Sequence, residues 1–110
     1  MESQRFRSLD DFWPYYVRQH SKKLTRQWHF IGNLNLVLWM YWASSRRSFF
    51  LVILGVFTSY LFAWVGHFLV ERNIPATFQY PALSALADMR MFVLMLQGRM
   101  DAEVEKYIEA

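Results

Sequence analysis

The feature that most constrains this sequence is a run of nineteen residues, 48–66, that contains no charged side chain. As an α-helix this run would be about 28 Å long, close to the roughly 30 Å hydrocarbon core of a bilayer. A second uncharged run, of sixteen residues, covers 30–45. Because only the polar stretch 44–47 follows it, the two runs are predicted to form an antiparallel transmembrane hairpin of helices 28–45 and 48–70.

Two further helices are predicted to flank the hairpin. Residues 8–20 begin with Ser8 three residues before Asp11, as in a capping box. They continue with Trp13, Tyr15 and Tyr16, which suit either the headgroup level of a membrane or the core of the protein. Residues 82–97 follow a turn with two prolines, contain two charges and end before Gly98. The first is predicted to be an interfacial helix, and the second a short transmembrane crossing or a re-entrant helix.

The composition agrees with this all-α integral membrane helical bundle. Hydrophobic residues make up 55% of the chain and charged residues only 19%, against about a quarter in soluble domains. A chain of 110 residues suits one domain, predicted over 1–110 with a polar tail at 100–110. The chain has no cysteine, which excludes disulfides, thiolate metal sites and a cysteine nucleophile. A metal would therefore be held by histidine and carboxylate.

The distribution of positive charge favours a membrane topology over nucleic-acid binding. The basic residues flank apolar runs instead of forming a solvated patch, so no nucleic acid is expected as a partner. If all three long helices cross the membrane, the side that holds the N-terminus carries seven Lys and Arg residues and the opposite side carries four. This difference favours a cytoplasmic N-terminus. We expect a location in a bacterial inner membrane or the endoplasmic reticulum, with membrane lipid as a partner; assembly into oligomers is compatible with the sequence. The seven are Arg5, Arg7, Arg18, Lys22, Lys23, Arg26 and Arg72.

The three histidines are predicted to lie at one membrane depth. His29 is 17 residues before Arg46 and His67 is 20 residues after Arg47, so both lie about 26–30 Å from the hairpin turn. His20 reaches the same level if the chain folds back just after it. Neutral imidazoles without sulfur ligands suit Fe(II), Zn(II), Mn(II) or Cu(II), and the spacing does not choose among these metals. The alternative is that the histidines are structural.

Two carboxylates are candidates to complete the site. Glu71 follows His67 by four residues and shares its helix face if the helix continues that far, so it is predicted as a ligand. Asp88 lies at about the depth of His67 and is an alternative ligand, or an acceptor that orients an imidazole. A salt bridge from Glu71 to Arg72 or Lys23 is the alternative role for that carboxylate. In the first membrane helix, Asn33 and Asn35 are predicted to join neighbouring helices through their amides.

Three stretches of the sequence, over roughly residues 8–98, resemble the Mpo-one-like family of small membrane proteins. They are Tyr16-x3-His20-x8-His29-Phe30-x-Gly32, then Trp64-x-Gly66-His67-x3-Glu71-x-Asn73-x-Pro75-Ala76-Thr77-Phe78-x-Tyr80-Pro81, and Ser84-x3-Asp88-x2-Met91. The resemblance implies an Fe(II)-dependent dioxygenase that shortens a 2-hydroxy fatty acid by one carbon with O2. In fungi this fatty acid alpha-oxidation belongs to sphingolipid breakdown at the endoplasmic reticulum.

Carried over by position, the resemblance assigns the site residues. His20, His29 and His67 match the family histidines and are expected to be the catalytic, iron-binding residues, and Glu71 matches the family's acidic residue. Thr25 departs from the pattern, since many relatives have Asn there, which puts one contact around the metal in doubt. By the same resemblance, the chain is expected to be a short version without the extra C-terminal helices of longer relatives.

Basic residues near the histidines are expected to attract the carboxylate of such a substrate; they are Lys23, Arg26 and Arg72. Headgroup contact and topology are the alternative roles for these side chains. Two other functions stay open at this point. One is a non-catalytic membrane protein that binds lipid or has a structural role, and the other is a zinc-dependent membrane hydrolase.

Overall fold

The computed structural model describes residues 6–109, and this part of the chain is helical without a strand, which confirms the predicted all-α class. Arg5 and Ala110, which entered the predictions for topology and tail, lie outside the described residues. The elements in chain order are α1 (Leu9–Gln19), α2 (Lys23–Arg46), α3 (Phe49–Val65), a π-helical turn (Gly66–Glu71), a 3-10 turn (Ala76–Phe78), α4 (Pro81–Leu96), α5 (Met100–Val104) and a second π-helical turn (Glu105–Glu109).

The chain divides into two compact units. The hairpin unit is Lys22–Arg72, and the terminal unit comprises the described residues 6–21 and 73–109. The prediction of one domain over 1–110 stays a prediction.

In the hairpin unit, α2 and α3 form the predicted antiparallel pair, but the turn between them is shorter than predicted. It consists of Arg47, with a left-handed backbone at φ 51°, and Ser48, whose Oγ accepts the N–H of Leu51 at 3.2 Å and caps α3. The predicted turn residues Ser44 and Ser45 belong to α2.

The start of the first hairpin helix is also corrected. The prediction placed it at residue 28, whereas α2 begins at Lys23. The prediction followed the uncharged run, but lysine and arginine are good helix formers and do not end a helix. The second hairpin helix continues to Glu71, within one residue of the predicted bound, although its last six residues are π-helical.

Glycines allow the two hairpin helices to approach closely. A Cβ atom placed on Gly55 would lie 2.5 Å from Cβ of Trp39, and one on Gly66 would lie 3.2 Å from Cγ2 of Thr25. Neither contact leaves room for a larger side chain without a shift of the facing helix. Small residues at such positions are typical of helix pairs in membranes.

Polar side chains join the two helices halfway along their length. The amide nitrogen of Asn35 donates to Thr58 Oγ1 at 2.9 Å and to Ser59 Oγ at 3.0 Å, while its oxygen accepts the indole N–H of Trp39 at 3.1 Å. Asn35 therefore joins the helices as predicted. The prediction was wrong for Asn33, whose amide donates to the carbonyl of His29 in its own helix at 3.0 Å.

Among the described residues, one helix is long and apolar enough to cross a bilayer, Phe49–Glu71. A transmembrane bundle is therefore not confirmed, and crossings by α2 and α4 stay predictions. Many large apolar side chains of the hairpin unit are exposed, including Leu38, Tyr41, Trp42, Phe49, Phe50, Phe57, Phe68 and Leu69. An exterior of this kind is unusual for a surface that faces water.

The terminal unit has a conventional apolar core built on α1. Ser8 begins this helix as predicted, because its Oγ accepts the N–H of Asp11 at 3.1 Å. Of the two environments left open for Trp13 and Tyr16, the headgroup level and the protein core, the structure shows the core, where both are buried. Their apolar rings pack there while their polar atoms find partners within the unit. The core residues are Phe12, Trp13, Tyr16, Val17, Ala76, Ala87, Met91, Met100 and Val104.

The C-terminal segments of the terminal unit begin and end close to the predicted residues, but part of the predicted polar tail is buried. Helix α4 covers Pro81–Leu96, one residue from the predicted bounds, with Pro81 in its first turn. The predicted polar tail is helical, and Met100 and Val104 are buried in the core. Their spacing of four residues places both on one helix face, a pattern that the many charges of the tail obscured.

Candidate metal centre

Two of the three histidines meet inside the hairpin unit. His29 lies on α2, and His67 lies in the π-helical turn that follows α3; both are buried. Their Nε2 atoms are 3.1 Å apart, and the two rings are nearly perpendicular, at 87°, with centroids 5.0 Å apart. The predicted convergence of these two residues is confirmed.

The distance between the two nitrogens fits a pair of metal ligands. Neutral imidazoles bind metals at about 2.0–2.1 Å, so two nitrogens on one ion are separated by about 2.8–3.4 Å at octahedral or tetrahedral angles. The observed 3.1 Å falls within that interval. Without a metal, the same distance allows one ring to donate its proton to the other as an ordinary hydrogen bond.

The local backbone around His67 explains how the pair is held. Gly66 lets the π-helical turn lie against Thr25 on α2, where any Cβ atom would be in close contact. The turn then ends at Arg72, whose left-handed backbone, at φ 62°, directs the chain away from the helix. Single π-helical turns interrupt α-helices at functional sites more often than elsewhere.

Glu71 fastens this turn to the beginning of α2. Its Oε1 accepts the main-chain N–H of Lys22, the residue that caps α2, and the hydroxyl of Thr25 at 3.0 Å. The ammonium of Lys22 in turn donates to the carbonyl of Val70 at 3.1 Å. A carboxylate at a helix N-terminus is also favoured by the helix dipole. Because His29 and His67 lie on the two segments joined here, these bonds fix the histidines relative to each other.

Thr25 is the residue at which the sequence departed from its family pattern. It is buried, and its hydroxyl supplies the contact to Glu71. Sequence reasoning missed this role, although the spacing of Thr25 and His29 by four residues placed both on one face of α2.

In the terminal unit, His20 ends α1 and is fully buried. Its Nδ1 lies 2.7 Å from the carbonyl oxygen of Tyr16, and its ring stacks on the Tyr16 ring with centroids 4.0 Å apart. A carbonyl oxygen only accepts, so Nδ1 is the donor and carries the proton. The lone pair is then on Nε2, the tautomer that a metal ligand needs.

Asp88 contacts Tyr16 within the same unit. The Tyr16 hydroxyl donates to Asp88 Oδ1 at 3.2 Å, so Asp88 holds the residue whose carbonyl orients His20. Arg90 pairs with Asp10 at 3.1 Å. The contact of Asp88 with Tyr16 is to a phenol and not to an imidazole, so both roles predicted for Asp88 stay predictions.

Among the described residues, the group that could hold a metal ion is His20, His29 and His67, all buried. A set of three imidazoles without thiolate suits iron, zinc, manganese or copper, and does not by itself identify one. Glu71 as a further ligand stays a prediction.

The basic residues expected near a substrate carboxylate differ in their burial. Arg26 is buried and lies three residues before His29, on the same side of α2. Lys23 and Arg72 are exposed. Arg26 is therefore the candidate that lies deepest beside the histidine pair.

These observations define a class: a small all-helical protein with one candidate membrane span and a candidate histidine metal centre. The sequence model of the family described as "2-hydroxy-palmitic acid dioxygenase Mpo1-like" matches residues 6–100. The chain therefore belongs to the Mpo1-like family. No curated protein and no solved structure matches it significantly.

Proposed function

We propose that this protein is an Fe(II)-dependent dioxygenase that shortens 2-hydroxy fatty acids by one carbon with O2. The observation that carries the proposal is the buried histidine pair, with its two Nε2 atoms 3.1 Å apart, in a chain of the Mpo1-like family. The family description supplies the substrate class, a 2-hydroxy fatty acid.

His20, His29 and His67 would hold the iron, and Glu71 is a further candidate ligand. When bound, Fe(II) would supply the capacity to bind and reduce O2 next to the 2-hydroxy acid. The neutral imidazoles leave the positive charge of the ion uncompensated, which favours an anionic substrate. The hydrogen bond from His20 Nδ1 to the Tyr16 carbonyl selects the tautomer of the neutral ring in which Nε2 carries the lone pair for this role.

The chain's own side chains would bind and orient the acid. The buried guanidinium of Arg26 is the proposed partner of its carboxylate, because a bidentate, always charged group recognises carboxylates well. The exposed Lys23 and Arg72 would attract the anion from a distance.

A membrane location accounts for the exterior of the hairpin unit. We propose that the protein is an integral membrane protein with a cytoplasmic N-terminus, and that Phe49–Glu71 crosses the bilayer. His67 lies four residues from the end of that helix, which in a crossing helix is close to the interface. The headgroup of a fatty acid lies at this level, while its apolar tail stays among lipid chains.

The test is conversion of 2-hydroxy-palmitic acid by the chain purified in detergent and loaded anaerobically with Fe(II). We expect an acid one carbon shorter, detected by mass spectrometry, only after O2 is admitted. His29→Ala and His67→Ala should lose both stoichiometric iron and conversion, whereas Gln27→Ala, an exposed change on the same helix, should retain them.

Other outcomes would identify the other candidate functions. Release of the free acid from a 2-hydroxyacyl ester or amide by zinc-loaded protein without O2 would indicate a hydrolase instead. A folded wild-type protein that binds fatty acid, but that does not bind metal and does not convert the acid, would indicate a lipid-binding or structural role.

A further inference from the structure

Three rings form a stacked column along α1. Trp13, Tyr16 and His20 follow one another at spacings of three and four residues, which places them on one helix face. The Tyr16 and His20 rings have centroids 4.0 Å apart at an angle of 29°, and the Trp13 and Tyr16 rings 5.9 Å apart at 17°. The column thus connects His20, a proposed metal ligand, to the buried indole of Trp13 in the same unit.

Tyr16 and Trp13 each donate a hydrogen bond to a carboxylate. The Tyr16 hydroxyl donates to Asp88 Oδ1 at 3.2 Å, and the Trp13 indole N–H donates to Glu103 Oε1 at 2.7 Å. Burial alone requires an acceptor for each group, but any carbonyl or hydroxyl would serve. Carboxylates are better bases, and both aromatic residues here have one.

This pairing matters for oxidation. A phenol or an indole that loses an electron becomes a strong acid, and a positive charge left in an apolar core is costly. A carboxylate that accepts the proton removes this charge. Arg90 lies 5.2 Å from the centre of the Trp13 ring and disfavours an indole cation further, so proton transfer to Glu103 is the route that remains for Trp13.

We propose that Tyr16 and Trp13 form a redox relay that carries oxidising equivalents away from His20. The proposal rests on the proposed function, because the oxidant is the O2-derived species that an iron dioxygenase produces when no fatty acid is present to consume it. The relay would protect the buried imidazole from oxidation during such unproductive events.

The transfer balances in two steps. Tyr16 gives one electron to the oxidant, its O–H bond breaks, and the proton goes to Asp88. Trp13 then gives one electron to the Tyr16 radical, its N–H proton goes to Glu103, and Tyr16 recovers its proton from Asp88. A small-molecule thiol reduces the Trp13 radical by one electron, the indole recovers its proton from Glu103, the proton of the thiol goes to solvent, and two thiyl radicals combine into a disulfide. Without thiol, the Trp13 radical takes up oxygen.

The experiment exposes the Fe(II)-loaded full chain to O2 without fatty acid and without thiol, then maps added oxygen by peptide mass spectrometry. Trp13 is 3% exposed and Trp42 is 47% exposed, so a freely diffusing oxidant would modify Trp42 first. We expect the reverse, with oxygen added at Trp13 ahead of Trp42. Protein loaded with redox-inert Zn(II) should show neither product.

Tyr16→Phe should lose the Trp13 product and gain oxygen at His20, while Tyr15→Phe, the same change at the neighbouring position of α1, should not. Trp13→Phe should stop the radical at Tyr16, where rapid-freeze electron paramagnetic resonance would detect a tyrosyl signal. If Tyr16→Phe does not fold, Trp13→Phe tests the relay on its own.

Two results would overturn the relay alone: an active wild-type enzyme in which Trp13 and Tyr16 stay unmodified, or a Trp13 product that persists in iron-loaded Tyr16→Phe. A wild-type chain that binds no iron and consumes no O2 would overturn the proposed function together with the relay.

Discussion

The two units of the molecule differ in the groups that hold their helices together. In the hairpin unit, large apolar side chains such as Phe57 and Leu69 face outward, while hydrogen-bonded polar groups such as Asn35 join the helices inside. In the terminal unit, aromatic and aliphatic side chains fill the interior, and the ion pair of Asp10 with Arg90 lies outside. The difference lies in the interiors of the two units, since the terminal unit also exposes large apolar side chains such as Leu86 and Met89. The polar interior of the hairpin unit suits the lipid surroundings proposed for it.

The largest expected effect is the loss of stability when a large apolar side chain is truncated, which should differ between the two units. Phe12 is fully buried in the terminal unit, whereas Phe57 of the hairpin unit is 57% exposed. Phe12→Ala should lower the free energy of unfolding by about 3–5 kcal/mol, because it leaves a cavity. Phe57→Ala should change it by less than about 0.5 kcal/mol. Denaturant titration in a mild detergent measures both, and equal losses would contradict the comparison.

The next effect concerns Glu71 in the hairpin unit. Glu71→Ala removes the acceptor for Lys22 and Thr25, and should weaken metal binding by about 10–100-fold, as is typical of residues that support ligands. Glu71→Gln keeps a carbonyl oxygen at the same place. If Glu71 only positions the histidines, this variant should bind metal nearly as well as wild type in a competition titration.

A different result for Glu71→Gln would support the ligand prediction. Since an amide is a poor metal ligand, equal weakening by both substitutions would mean that the carboxylate itself contacts the ion. Asp88→Asn is the matched control in the terminal unit, because it also replaces a carboxylate by an amide that can accept from Tyr16.

A smaller effect tests the polar interior of the hairpin unit. Asn35→Leu removes the bonds to Thr58, Ser59 and Trp39, and should cost about 1–2 kcal/mol, since hydrogen bonds between membrane helices contribute modestly. Asn33→Leu removes a bond within one helix and should cost less. Thermal unfolding in lipid nanodiscs compares the two variants, and a larger loss for Asn33 would be inconsistent with this assignment.

The smallest effect is expected to be the same in both units. Ser8 caps α1 and Ser48 caps α3, each by accepting a main-chain N–H, at 3.1 and 3.2 Å. Ser8→Ala and Ser48→Ala should each lower stability by about 1 kcal/mol. Hydrogen exchange of the first turns measures each cap locally. An effect in one unit only would show that the surroundings dominate over the cap.

Much of the helical fold followed from local patterns. The bounds of α1 and α4 were predicted within one residue, because Ser8, Pro81 and Gly98 act through their own backbone. The start of α2 was missed because charge is a poor marker of a helix end. The burial of Met100 and Val104 was missed because it depends on a partner surface distant in sequence.

The candidate site also combines features that the sequence could predict with features that it could not. The approach of His29 to His67 could be predicted from helix length alone, since both are counted from one turn. The contacts of Glu71 with Lys22 and Thr25 could not, because they depend on the π-helical turn and on the rotation of α3 against α2. Tyr16 was likewise missed as the residue that sets the His20 tautomer, since a main-chain carbonyl leaves no mark in the sequence.

By itself, the sequence determined the all-helical class, the hairpin, the absence of sulfur ligands and the Mpo1-like family, because each depends on residue type and spacing along the chain. Only the tertiary structure decided which atoms of these residues meet. Rotation and close approach of helices are set by packing of side chains from separate segments, such as Gly66 against Thr25. A periodic sequence pattern specifies the face of a helix, but not the partner that this face contacts.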